Sequence, residues 1–164
     1  MDNFILNNFF ANDFYKKLKK EVFSLNYKKS YIPNLHSYSK ASLGKTLHSL
    51  FNSKEFLAFI SKLMKKKIKN TGGEAFCFSN GDYTILSDKT KRKPGIDIII
   101  DFTDKWNNNY GGKITYVDGK GNYYHLSVKG NSLFIVKREN IQRFVQYVNN
   151  KGKNNRRYFI IFSL

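Results

Sequence analysis

The chain has 164 residues, enough for one domain with a sizeable core. Hydrophobic residues make up 41% and aromatic residues 16%, which excludes a disordered chain. The formal net charge of +17 draws polyanions, so RNA, DNA, the ribosome or an acidic surface enter as partner classes, beside the plainer reading of a solvated Lys-rich surface.

The single cysteine, Cys77, excludes an internal disulfide framework and lies in an apolar run as a small core residue. No uninterrupted apolar segment is long enough to span a bilayer. The start, Met1-Asp2-Asn3-Phe4-Ile5-Leu6, lacks the features of a secretory signal. The expectation is a cytoplasmic protein with no membrane partner.

Asn12 or Asp13 is placed to cap a helix, and Phe14, Leu18, Val22 and Leu25 then recur at helical spacing. Lys16, Lys17, Lys19 and Lys20 fall mostly off that stripe, so the helix is amphipathic. Residues 26–39 are polar, contain Pro33, and read as a loop. Residues 41–51 predict a second helix interrupted by Gly44. Ser53 is a good cap for a third, with Phe56, Leu57, Ile60, Leu63 and Met64 on its apolar face. Lys62, Lys65, Lys66 and Lys67 gather at its end, where the helix dipole favours cations. Gly44-Lys45-Thr46 ends like a phosphate-binding loop, but Ser39 stands where the earlier glycine is needed, so no nucleotide site is assigned.

After Asn70-Thr71-Gly72-Gly73 the periodicity changes to that of strands. Short strands are predicted at 76–78, 83–86, 96–102, 113–117, 123–128, 133–136, 144–148 and 158–162, separated by turn signals such as Asn80-Gly81-Asp82 and Asp118-Gly119. Asp97 and Asp101 stand at the margins of the most apolar strand. Short, evenly spaced strands after helices predict an α+β domain built on a sandwich or jelly-roll barrel, with 1–70 mainly helical support and 71–164 the barrel.

Five pieces in this order carry a family resemblance: Gly81-Asp82-Tyr83, Asp101-Phe102-Thr103, Trp106 with Gly111-Gly112, Asn131-Ser132-Leu133, and Arg157. The chain resembles the prolyl-hydroxylase-like branch of the 2-oxoglutarate/Fe(II)-dependent oxygenases. The resemblance implies N-terminal helices packed on a double-stranded β-helix, Fe(II) and 2-oxoglutarate as cofactors, and a protein substrate or partner.

Such an enzyme needs Fe(II) held on one face by two imidazoles and a carboxylate, with the other face open. Carried onto this chain, the His-any-acid pair falls on Ser87, Asp88 and Lys89. The distal His falls on Arg143, or on Asn150 in a shifted alignment. Asp88 is the nearby carboxylate, and one hard ligand does not hold Fe(II). Lys89 and Arg143 would place positive charge where the cation should sit. His36, His48 and His125 have no spaced partner and read as surface or satisfied core residues. For 2-oxoglutarate, the resemblance implies Arg157 as the guanidinium that pairs with the distal carboxylate, with Arg156 as alternate and Tyr83 adding a hydroxyl. An ordinary basic residue at a barrel mouth and an ordinary strand tyrosine are the competing readings. If the resemblance holds, Ser87, Lys89, Arg143 and Arg157 converge on one barrel mouth.

Three functions follow as expectations. The first is a catalytically degenerate family member acting as a binding or regulatory module. The second is an active prolyl hydroxylase with a non-standard metal site. The third is a basic RNA- or ribosome-associated protein.

Overall fold

Alternation along the strands determines how the molecule is layered. The computed structural model describes residues 3–87 and 93–164. Its elements run β1 (Asn3–Asn7), α1 (Asn12–Phe23), β2 (Lys28–Ile32), β3 (His36–Ser42), α2 (Lys45–Phe51), α3 (Lys54–Met64), β4 (Glu74–Phe78), β5 (Tyr83–Thr84), β6 (Gly95–Asp101), β7 (Ile114–Asp118), β8 (Tyr123–His125), β9 (Ser132–Arg138), β10 (Ile141–Val145) and β11 (Arg157–Ser163).

The larger sheet has the order β1-β9-β6-β11-β4-β3-β2, with β5 paired to β3; the smaller has the order β10-β7-β8. Every pairing is antiparallel. On β6 and β11, Ile98, Ile100, Tyr158, Ile160 and Phe162 pack toward the helices with Leu18, Val22, Phe51 and Ile60. The alternate residues Ile99, Phe159 and Ile161 face the smaller sheet and meet Ile114, Tyr116 and Val145. A strand buried on both faces reads as one apolar run, which explains residues 96–102. The arrangement is the α+β double-stranded β-helix that the sequence predicts.

The N-terminal part departs from expectation in three ways. Residues 26–39, expected as loop, instead supply most of the β2–β3 hairpin, turning at Asn34 with φ of 57°. Its outer strand is a sheet edge carrying lysines, so it lacks the apolar alternation that marks a strand and has the charges that discourage edge pairing. The predicted helix over 41–51 loses its first residues: Ala41 and Ser42 end β3, and α2 starts after Gly44. Residues 3–7, with no predicted structure, pair as β1 with β9. The first 70 residues therefore lend three strands to the larger sheet in addition to the helices.

α1 forms as expected but buries Tyr15, Leu18 and Val22, leaving Phe14 exposed. Asn12 and Asp13 are its first residues rather than its cap, which is Ala11 with no side-chain bond. α3 matches its prediction, since Ser53 Oγ accepts from Phe56 N–H at 3.2 Å. Its buried face is Phe56 and Ile60, and Leu63 is 36% exposed.

That contrast on one helix is measurable. Ile60→Ala is expected to lower unfolding stability by about 2–5 kcal/mol through a core cavity. Leu63→Ala is expected to change it by about 0.5 kcal/mol or less. Urea denaturation followed by circular dichroism reads both.

Candidate functional site

The Gly81-Asp82-Tyr83 piece is a hydrogen-bonded hub. The Asp82 carboxylate is buried and accepts from Ser79 N–H at 2.9 Å, Ser79 Oγ at 3.0 Å and Ser37 Oγ at 2.6 Å, with an ion pair to Lys29. Its backbone accepts from Val148 N–H at 2.9 Å, and Gly81 N–H donates to Val148 O at 2.8 Å. Burial works against this carboxylate's charge, but the donors from Lys29, Ser37 and Ser79 outweigh it and hold the pKa below the usual value. The hub fixes β5 against β3 and the segment after β10, and Thr84 Oγ1 accepts from Val145 N–H at the end of β10 at 2.8 Å.

Three more pieces meet at Arg157, which is fully buried. Its Nη1 donates to Asp101 Oδ1 at 2.7 Å and Thr103 Oγ1 at 2.9 Å, and its Nε donates to Gly112 O at 3.0 Å. The Trp106 indole donates to Gly111 O at 2.9 Å. Gly111 has φ of 75°, and a Cβ there would lie 1.9 Å from Tyr147 O, so this position demands glycine. Asn131 N–H donates to Asp101 O at 2.9 Å, while the Asn131 amide bonds both backbone groups of Phe10. Four of the pieces recognised separately in sequence thus form one connected assembly.

The other end of β6 carries the second ion cluster. Asp97, with no exposure, accepts from Arg143 Nη1 at 2.6 Å, Tyr116 Oη at 2.8 Å and Ser163 Oγ at 2.7 Å. Arg138 Nε lies 3.0 Å from Asp97 Oδ1 but lacks hydrogen-bond alignment, while its Nη1 and Nη2 donate to Lys93 O and Leu164 O. Burial opposes the Arg143 charge, yet Asp97 and Tyr116 raise its pKa. Burial chiefly raises the Tyr116 phenol, so it stays protonated.

Arg143 also lines a cavity of about 440 Å³ between β3, β4, β11 and β10. Tyr38, Phe76, Phe78 and Phe159 give it an aromatic wall, and His36, Lys40 and Glu74 add polar groups. An apolar groove adjoins it, lined by Tyr83, Ile85, Leu86, Phe144 and Tyr147.

Of the residues implied by the resemblance, the structure brings Arg143 to the cavity and Tyr83 to the groove beside it. Ser87 follows β5 closely, and Asp88 and Lys89 lie outside the described residues. Asn150 begins an exposed 3-10 turn. Arg157 has Asp101 as its carboxylate partner inside the barrel. Arg156 is exposed, and Tyr158 is the main cause of its raised pKa.

The described residues do not fit Fe(II). A serine hydroxyl and a guanidinium stand at the carried-over ligand positions, and among the described residues no three His, Cys, Asp or Glu side chains are grouped to hold a metal. His36 Nε2 bonds Ser30 Oγ at 2.8 Å and His125 Nδ1 bonds Thr115 Oγ1 at 2.8 Å, while His48 is exposed on α2.

The sequence reading missed Asp97, and it missed the wall supplied by β3. Asp97 and Asp101 stand four apart in an apolar strand, hence on one face. Two carboxylates inside a core require cationic partners, a signal that was present.

A family model described as "Oxoglutarate and iron-dependent oxygenase degradation C-term" matches residues 19–163. No curated protein matches the sequence significantly. Among solved structures, the chain is similar to a 2OG-Fe(II) oxygenase family oxidoreductase from Burkholderia pseudomallei, at 9% identity, 98% and 84% coverage of the two chains and a TM-score of 0.75. It is also similar to a prolyl-4-hydroxylase from Pseudomonas putida, at 10% identity, 98% and 90% coverage and a TM-score of 0.69. A Trichoplax adhaerens prolyl hydroxylase in complex with a hypoxia inducible factor peptide fragment matches at 12% identity, 98% and 82% coverage and a TM-score of 0.69. At these identities the likeness is one of fold.

Two outcomes follow from the buried carboxylates. Asp97→Asn is expected to destabilise the fold by about 3–5 kcal/mol, because it strands buried guanidinium charge. Asp82 has a depressed folded-state pKa, so its contribution is present above the usual carboxylate range and is lost as pH falls through the lower folded value. Wild-type stability should therefore drop on acidification below about pH 4, and Asp82→Asn should flatten that part of the profile. Chemical denaturation across pH 2–7 (roughly the carboxylate range and above) measures both.

Proposed function

This chain belongs to the family described as oxoglutarate and iron-dependent oxygenase degradation C-term, within the prolyl-hydroxylase-like oxygenases, and from that membership we propose that it is a catalytically degenerate member working as a binding or regulatory module. The observation that carries this reading is the Arg143–Asp97 pair. A permanently charged guanidinium stands where the distal imidazole is expected, and a buried carboxylate holds it there. Moving Arg143 aside would take from the buried Asp97 carboxylate one of its two arginine partners and its charge-assisted hydrogen bond, which opposes displacement. The scaffold keeps its cleft while the ligand set is changed.

The partner class is a protein segment. A homologous fold holds a peptide in the Trichoplax prolyl hydroxylase complex. In this chain the apolar groove of Tyr83, Ile85, Leu86, Phe144 and Tyr147 lies open beside the cavity, with Tyr147 55% exposed. Aromatic and aliphatic side chains of this kind supply area for a bound chain at low entropic cost.

A second reading rests on the lysines at the end of α3. Lys62, Lys65, Lys66, Lys67 and Lys69 are exposed, and none forms an ion pair among the described residues. They form a basic outer face, away from the groove in sequence, suited to RNA phosphates.

Anaerobic titration with Fe(II), or with redox-inert Mn(II), in the presence of 2-oxoglutarate tests the first reading. No micromolar, 2-oxoglutarate-dependent metal binding is expected; such binding would restore the active-hydroxylase alternative. For RNA, affinity is expected to fall on the order of a hundredfold between about 50 and 200 mM salt, with a shallower slope for a Lys65→Gln, Lys66→Gln, Lys67→Gln variant. Absence of binding at low salt removes that reading.

A further inference from the structure

The cavity beside Arg143 has the size of a small-molecule site. Its volume is about 440 Å³, within the roughly 300–1,000 Å³ typical of ligand pockets. One wall is a continuous aromatic surface. Tyr38 stacks on Phe78 at 5.6 Å between ring centroids, and Phe159 stacks on Phe76 at 5.7 Å and on Phe78 at 5.5 Å.

The lining also carries the Arg143 guanidinium, paired with the buried Asp97 carboxylate, which lies outside the lining. A guanidinium has five N–H donors. The Asp97 and Tyr116 contacts use part of the Arg143 fork, and the same side chain lines the cavity.

The other charged lining groups do not change this sign. Lys40 and Glu74 pair with each other at 2.9 Å. His36 is lowered by burial and by Lys40, and so is neutral at pH 7. Arg143 is therefore the lining cation whose carboxylate partner lies outside the lining, beside the aromatic wall.

We propose that this cavity binds a small organic monocarboxylate with an aromatic or branched apolar body. The carboxylate sits on the Arg143 guanidinium, and the body lies against Tyr38, Phe76 and Phe159. A phosphate or dicarboxylate fits less well, because Lys40 is committed to Glu74 and the aromatic wall offers no second cation. The inference rests on the reading above that Arg143 has replaced a metal ligand, since the anchor is then a guanidinium and not iron.

Calorimetry on the full chain at pH 7 in EDTA, with 3-phenylpropionate and its neutral amide, tests it. The acid is expected to bind about tenfold or more tightly than the amide, the size of one lost charge-assisted contact. This comparison uses the unaltered protein and so does not depend on a variant folding. Arg143→Lys, which keeps a cation for Asp97 but loses the fork, is expected to weaken the acid about tenfold while a thermal melt confirms the fold. Phe76→Ala, on the partly buried wall, should weaken acid and amide alike.

Equal binding of acid and amide, no binding at millimolar acid, or an acid affinity indifferent to Arg143→Lys overturns the proposal. If binding appears only when EDTA is replaced by Mn(II), the degenerate-site reading fails and takes the proposal with it. If nothing binds with or without Mn(II), this inference fails alone.

Discussion

Two carboxylates on one strand hold this barrel together. Asp97 and Asp101 both point from β6 into the space between the sheets, and both are fully buried. Each is paired to arginine, Asp101 with Arg157 and Asp97 with Arg138 and Arg143. Asp97 alone joins β6 to β7, β9, β10 and β11 through Tyr116, Arg138, Arg143 and Ser163. A buried pair is weak evidence of net stability, but removing either partner is costly because the other charge is left without solvent. The pairs therefore act as a constraint on register: slipping β6 by one residue would turn both carboxylates out toward the helices.

That constraint shapes the cleft. Because Asp97 holds Arg143 in place, the wall that faces the cavity presents a fixed guanidinium backed by a phenol. Because Asp101 holds Arg157, the other inward arginine is bound into the Trp106 and Gly112 assembly, with its guanidinium 4.9 Å over the Phe159 ring. Stability and binding chemistry here depend on the same side chains. Four of the five motif pieces form one bonded scaffold around Arg157 and Asp101, and Gly81-Asp82-Tyr83 forms a second hub.

The barrel strands were legible because each is short, apolar on at least one face and bounded by turn residues, as in residues 76–78 and 158–162. The family resemblance was legible for a related reason: Asn131, Gly111 and Asp82 occupy positions where backbone geometry or buried bonding admits few alternatives. The β2–β3 hairpin was not legible. Edge strands that face water carry Lys and Ser in place of an alternating pattern, so local composition matches that of a loop. Strand β1 was hidden because its partner, β9, lies more than a hundred residues away.

The sequence by itself determined the double-stranded β-helix, the third helix with its Ser53 cap, and the family. These follow from periodicity, capping chemistry and residue identity, which are local. Only the tertiary structure decided where the arginines go. Whether a guanidinium meets solvent, a ligand or a buried carboxylate depends on which strands lie side by side. Asp97 lies 46 residues before Arg143 in the chain, and it meets Arg138 and Arg143 only when β6 comes beside β9 and opposite β10.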